Sequence, residues 1–74
     1  MNWNEIVSKR TPVKTKDSTS WGYVVGEYGD NLVVIQGKLV SNEYMIPKSQ
    51  VQNYNGKELS LRIRHDEISQ DFKI

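Results

Sequence analysis

From Glu43 to Ile63 the chain reads EYMIPKSQVQNYNGKELSLRI. An extended segment closes at Ile46-Pro47, a short turn runs through Lys48-Ser49-Gln50 to Val51, and Asn55-Gly56 folds the chain back into Leu59-Ser60-Leu61-Arg62-Ile63. Pro47 ends the first segment because proline cannot donate to a β ladder and suits the first position of a helical turn. Asn55-Gly56 is the strongest hairpin signal in the chain, since both residues tolerate the positive φ of a type I′ turn. Beyond it Leu59, Leu61 and Ile63 alternate with Glu58, Ser60, Arg62 and Arg64, which sends the first set inward and the second outward. This punctuation and period of two predict a mainly β protein, a small antiparallel β-barrel, with no room for an active site.

Working back towards the amino terminus, Leu39 to Ile46 reads as a strand with Tyr44 and Ile46 on one side, entered by a bend at Gln36-Gly37-Lys38. Trp21 to Tyr28 and Asn31 to Gln36 are rich in the β-branched and aromatic residues that suit a pleated surface, and Gly29-Asp30 is the tip of the hairpin between them. A two-residue loop there sets Tyr28 opposite Asn31, Gly26 opposite Val33 and Val24 opposite Ile35. Those pairs then share the inner face. The outer face carries Trp21, Tyr23 and Val25 with Leu32 and Val34.

A ribbon apolar on both faces needs two covers. Each large side chain left in water forfeits roughly 1.5–3 kcal/mol, so something is expected to cover the outside. The candidates are a second copy of the chain, or the amino-terminal segment folded back. In that segment Trp3, Ile6 and Val7 have the spacing of a short amphipathic helix, ended by Thr11-Pro12. Val13 to Lys16 is a brief first strand and Asp17-Ser18-Thr19-Ser20 a polar turn. At the other end Asp66 to Phe72 reads as a short helix capped by Asp66, with Ile68 and Phe72 on one side. Val51 is expected to plug the core. The organisation expected is one domain: residues 1–11 an adaptable lead-in, 12–64 the barrel, 65–74 a short helix and tail.

At 74 residues, 36% hydrophobic and 26% charged, the chain folds without much surplus, and marginal cores often recruit partners. Its net charge is +1; Lys9, Arg10, Lys14 and Lys16 form a mild basic arm opposed only by Glu5, far short of a nucleic-acid footprint. There is no cysteine, which removes disulfides, thiol nucleophiles and thiolate metal sites together. With neither a signal-peptide run nor an apolar stretch of about 20 residues, the sequence is read as cytoplasmic.

With that pattern in place, Val13 to Glu67 resembles the PRC-barrel superfamily, small β-barrels of the photosynthetic reaction-centre H subunit, the ribosome maturation factor and stand-alone archaeal and bacterial proteins. The likeness rests on Val13-Lys14-Thr15-Lys16-Asp17 before Gly22-Tyr23-Val24, on Tyr44-Met45-Ile46-Pro47-Lys48-Ser49, and on Asn55-Gly56 before Leu59-Ser60-Leu61. Ser18 stands where the family usually has glycine, and Trp21 where a smaller aliphatic residue is common. The resemblance implies a protein-docking or assembly module and offers no catalytic residue to carry over.

Sharper chemical readings do not survive inspection of the residues. His65 beside Asp66 lacks a marked nucleophile, and neighbouring helix positions do not face each other. Neither an EF-hand loop nor a zinc-type histidine spacing is present, and Gly22, Gly26 and Gly29 sit in or beside strands, where a dinucleotide loop would have to open a helix. No enzyme activity, cofactor or metal is expected. The expected site is a protein interface formed by Trp21, Tyr23, Val25, Leu32 and Val34, with Arg62 and Arg64 near its rim, taking a partner protein or a second copy, a dimer first. The alternative is an RNA- or ribosome-associated factor using the basic arm, Arg62 and Arg64; weaker still is attachment to a membrane surface through Trp3.

Overall fold

The computed structural model describes residues 1–37 and 42–74. Lys38 and the expected strand start at Leu39 to Ser41 lie outside them. The described residues form helix α1 (Trp3–Ser8), strands β1 (Pro12–Lys14), β2 (Ser20–Tyr28), β3 (Asn31–Gln36) and β4 (Asn42–Pro47), a 3₁₀ turn (Lys48–Gln50), β5 (Val51–Tyr54), β6 (Leu59–Leu61) and helix α2 (His65–Asp71). The fold is mainly β with a short carboxy-terminal helix, as the sequence predicts.

All six described strands belong to one sheet in the order β4-β3-β2-β1-β6-β5. Two features depart from an antiparallel barrel. The hydrogen-bonded order has ends at β4 and β5, so the sheet is not closed, and β1 runs parallel to β6, pairing Val13 with Leu59 and Lys14 with Ser60. A parallel neighbour requires a crossover, and the whole run from β2 to β5 provides it. The ladder continues beyond β1, where the Lys16 N–H donates to the Ile63 carbonyl at 2.8 Å.

The hairpin of β2 and β3 has the two-residue Gly29-Asp30 tip expected, with Gly29 at φ +59 and Tyr28 opposite Asn31. Gly26 faces Val33, also as expected. Past that point the register slips: Val24 pairs with Val34, not Ile35, because Val25 is an extra residue in β2. Such a bulge puts two residues opposite one and reverses the side-chain parity beyond it. Val24 therefore joins Leu32 and Val34 inside. A second irregularity follows at Gly22, whose φ of +124 lies in a region closed to other residues and whose neighbour Trp21 turns inward as well.

The core consists of Val13, Trp21, Val24, Leu32, Val34, Tyr44, Ile46, Val51, Leu59, Leu61 and Ile63 from the sheet, with Ile6 from α1 and Ile68 from α2. Trp21 meets Tyr44 edge-on, ring centroids 4.4 Å apart at 70°. The inward set of Leu59, Leu61 and Ile63, the Tyr44 and Ile46 pair and the Val51 plug all match the sequence reading. The amino-terminal helix forms as expected, but it closes the inside of the sheet, and so is not the cover of the outside for which it was one of two candidates. Ile6 is fully buried, Trp3 and Val7 pack against the same core, and Thr11 ties the helix to β2 by accepting from the Val24 N–H at 2.9 Å. Lys48, from the Ile-Pro-Lys-Ser segment, pairs with Glu27 at 2.5 Å and lies 5.1 Å from the Trp3 ring centre. A residue of the turn after β4 thus joins β2 and α1.

Two local expectations are revised. Only Gly56 of the Asn55-Gly56 turn has positive φ; the Asn55 side-chain oxygen instead accepts from the N–H groups of Lys57 and Glu58 at 2.9 and 2.8 Å, a side-chain-built turn that replaces type I′. The cap of helix α2 falls two residues earlier than expected, on Arg64 in place of Asp66, with the Glu67 carboxylate accepting the Arg64 N–H at 3.2 Å. Ile68 is buried and Phe72 partly so, as their spacing requires.

Candidate functional site

Alternation along β2, β3 and β4 gives the sheet a second apolar surface, and it is not the one the sequence suggests. Trp21, Leu32 and Val34, expected on the interface, are 5%, 0% and 1% exposed and form the core. Of that set only Tyr23, 54% exposed, and the half-buried Val25 lie outside. The outer rows across the sheet are Tyr23-Ile35-Glu43 and Gly26-Val33-Met45, read from the paired registers. Val33, Ile35 and Met45 are each half-buried with neither helix stacked on them, because both helices place their buried residues among the inward side chains. Val33, Ile35 and Met45 escaped the sequence reading because an unbroken register in β2 assigns Val33 and Ile35 to the inside. The signal that could have found them was in β4: Tyr44 and Ile46 share a side, and they pair with Val34 and Leu32.

The centre of this face is flat. Gly26 has no side chain there, and a Cβ would meet only Val33, at 3.8 Å. Glu43 supplies a carboxylate at one corner. Arg62 and Arg64 stand on the other half of the sheet, two strands away from β2 with β1 between. Both are exposed; Arg62 Nε donates to the Val51 carbonyl at 3.4 Å and Arg64 Nε lies 3.5 Å from Asp66. Because Val13, Leu59 and Leu61 point inward, the paired Lys14 and Ser60 share the outer side of the β1 and β6 pair, and Lys16, Arg62 and Arg64 are exposed in the segments that follow the two strands. Two of these cations have carboxylates close by, Glu58 at 4.0 Å from Lys14 and Asp66 beside Arg64.

Among the described residues, a compact polar cluster links the turn before β2 to the start of α2. Thr15 Oγ1 donates to one oxygen of Asp17, and His65 Nδ1 lies 2.6 Å from the other. The Thr15 hydrogen bond, opposed by partial desolvation and assisted by His65, lowers the Asp17 pKa from 3.8 to about 2. A nucleophilic triad needs the imidazole between carboxylate and hydroxyl. Here the carboxylate sits in the middle, the Thr15 side chain is buried and its proton is directed at Asp17, so no imidazole is placed to take that proton. The cluster is a clasp between two parts of the chain. His65 is exposed at a helix start, as expected, but its partner is Asp17 and not the adjacent Asp66.

Among the described residues no pocket opens and no three His, Asp or Glu side chains converge as a metal site. No described helix is long and apolar enough to cross a membrane. Compared with family models, curated proteins and solved structures, the chain matches none.

Proposed function

We propose that this chain is a non-enzymatic protein-binding module of PRC-barrel type that self-associates, as a homodimer, through the outer face of β2, β3 and β4. The observation that carries this reading is the row of half-buried Val25, Val33, Ile35 and Met45 beside the exposed Tyr23 in a domain with little apolar surface to spare. A flat face with an aromatic edge has the make-up of an interface centre, and a second copy of the same face is the simplest cover for it. Ser18 adds support for the family likeness: its φ of +65 is the left-handed conformation that glycine, usual there in PRC-barrels, adopts without strain. The absence of cysteine suits a reducing cytoplasm.

Sedimentation velocity from low to high micromolar concentration tests this, with the wild type beside Val33→Asp. The expected result is a dimer for the wild type and a monomer for the variant with unchanged far-UV circular dichroism. A wild type that stays monomeric throughout sinks the proposal.

A second reading, an RNA-associated factor, draws on Lys14, Lys16, Arg62 and Arg64, carried in or just after the parallel strands β1 and β6. Its measure is affinity for single-stranded RNA against salt, which should fall with a slope reflecting several phosphate contacts. A flat titration removes it.

A further inference from the structure

A sheet edge displays backbone donors and acceptors that another strand can take. In β4 the backbone groups of Glu43 and Met45 point away from β3, and the segment that follows α2 occupies this edge. The Met45 N–H donates to the Phe72 carbonyl at 3.0 Å, the Ile74 N–H donates to the Glu43 carbonyl at 3.0 Å, and Tyr44 faces Lys73 as an antiparallel bridge. Phe72 leans on the core, while Lys73 and Ile74 are exposed.

The fit is incomplete for a specific reason. In a continued antiparallel ladder the Phe72 N–H would donate to the Met45 carbonyl. It donates instead to the Ile68 carbonyl at 3.1 Å, closing the last turn of α2. The same helix that delivers the segment to the edge prevents it from pairing fully. Pro47, the next edge-facing residue of β4, has no N–H, so the donors of this edge are confined to Glu43 and Met45.

We propose that the β4 edge is a strand-addition site for an extended segment of a partner protein, and that residues 72–74 are its resident intramolecular occupant. An incoming extended chain forms the bond to the Met45 carbonyl that Phe72 cannot. The segment it fits has an aromatic or branched residue in the place of Phe72 and a lysine or arginine near the exposed Glu43 carboxylate. The 72–74 segment of a second copy would arrive with the same N–H already bonded within its helix, which makes a different chain the better occupant. This site is independent of the self-association face, because it uses backbone groups that Val33→Asp leaves in place.

The probe is a capped synthetic peptide with the sequence of residues 69–74, SQDFKI, in which no helix holds the phenylalanine N–H. It is titrated into the full chain and into Ile74→Pro, which lacks the donor to Glu43, with amide resonances as the readout. The peptide should shift Glu43 and Met45, bind Ile74→Pro about tenfold more tightly than wild type, and lose about tenfold when its phenylalanine nitrogen is methylated, each the worth of one hydrogen bond. No shift at Glu43 and Met45, equal affinity for the two proteins, or indifference to methylation overturns the proposal. Hydrogen exchange on the wild type gives a check that needs no variant: the Met45 amide should exchange about 100-fold faster than amides inside β3, as expected for a cover that opens locally. Equal protection would also overturn it.

Discussion

β2 and β3 lie side by side in one hairpin, yet only β3 keeps a strict beat of two. Along β3 Leu32 and Val34 are buried while Asn31, Val33 and Ile35 are half-exposed, an alternation without a fault. Along β2 the buried residues are Trp21 and Val24, three apart, which no regular strand can place on one face. The bulge at Val25 and the left-handed backbone of Gly22 absorb the difference. The lesson is that a regular strand transmits its pattern to its neighbours, whereas a bulged one conceals which of its neighbour's faces is inside. Because the error sits in β2, the mistaken assignment falls on Leu32 and Val34 in β3.

The hardest way to break the comparison is Gly22→Ala. Its Cβ would stand 2.3 Å from the Ile35 carbonyl oxygen, at a φ that side chains rarely adopt. The loss expected is about 3 kcal/mol or more, from backbone strain and a clash that the sheet can relieve only by moving β3. Urea unfolding measures it. A variant within about 1 kcal/mol of wild type would mean that β2 and β3 do not approach closely there.

Paired truncations in β3 sharpen the assignment of faces. Leu32→Ala should destabilise by about 2–5 kcal/mol, since Leu32 is fully buried, and Ile35→Ala by about 1 kcal/mol or less in the monomer. The reverse order would restore the unbroken register and return Leu32 to the surface. Chemical denaturation at a concentration where the protein is monomeric keeps any dimer contribution out of the comparison.

The smallest effect concerns the turn that feeds β2. Asp17 titrates near 2 when folded and near 3.8 as an unperturbed group, so its hydrogen bonds to Thr15 and His65 favour the ionised form. That contribution is fully present above pH 3.8 and is lost as pH falls towards 2. Asp17→Asn should flatten the acid limb of stability within this window and leave the rest of the profile in shape, as followed by the urea midpoint against pH. An acid limb identical to wild type would show that the clasp does not couple the turn to α2.

Much of the fold was legible because it depends on short-range constraints. Proline at position 47 must stop a strand, the Gly29-Asp30 tip fixes the Tyr28 to Asn31 register, and Leu59, Leu61 and Ile63 alternate without interruption. Helices at both ends followed from the spacing of Ile6 and Ile68 with their apolar neighbours. The candidate face was legible only in outline, as a ribbon greasy on two sides, and its membership was wrong in three of five apolar residues, Trp21, Leu32 and Val34.

The sequence by itself determined that β strands dominate, where they turn, and that more apolar surface exists than one core can use. Only the tertiary structure decided which surface that is, that Asp17 meets His65, that β1 lies parallel to β6, and that residues 72–74 lie on β4. The physical reason is common to all four. Alternation and turn chemistry act over a few residues, while a one-residue bulge, a parallel crossover and the capture of a free edge are settled by contacts between segments distant along the chain.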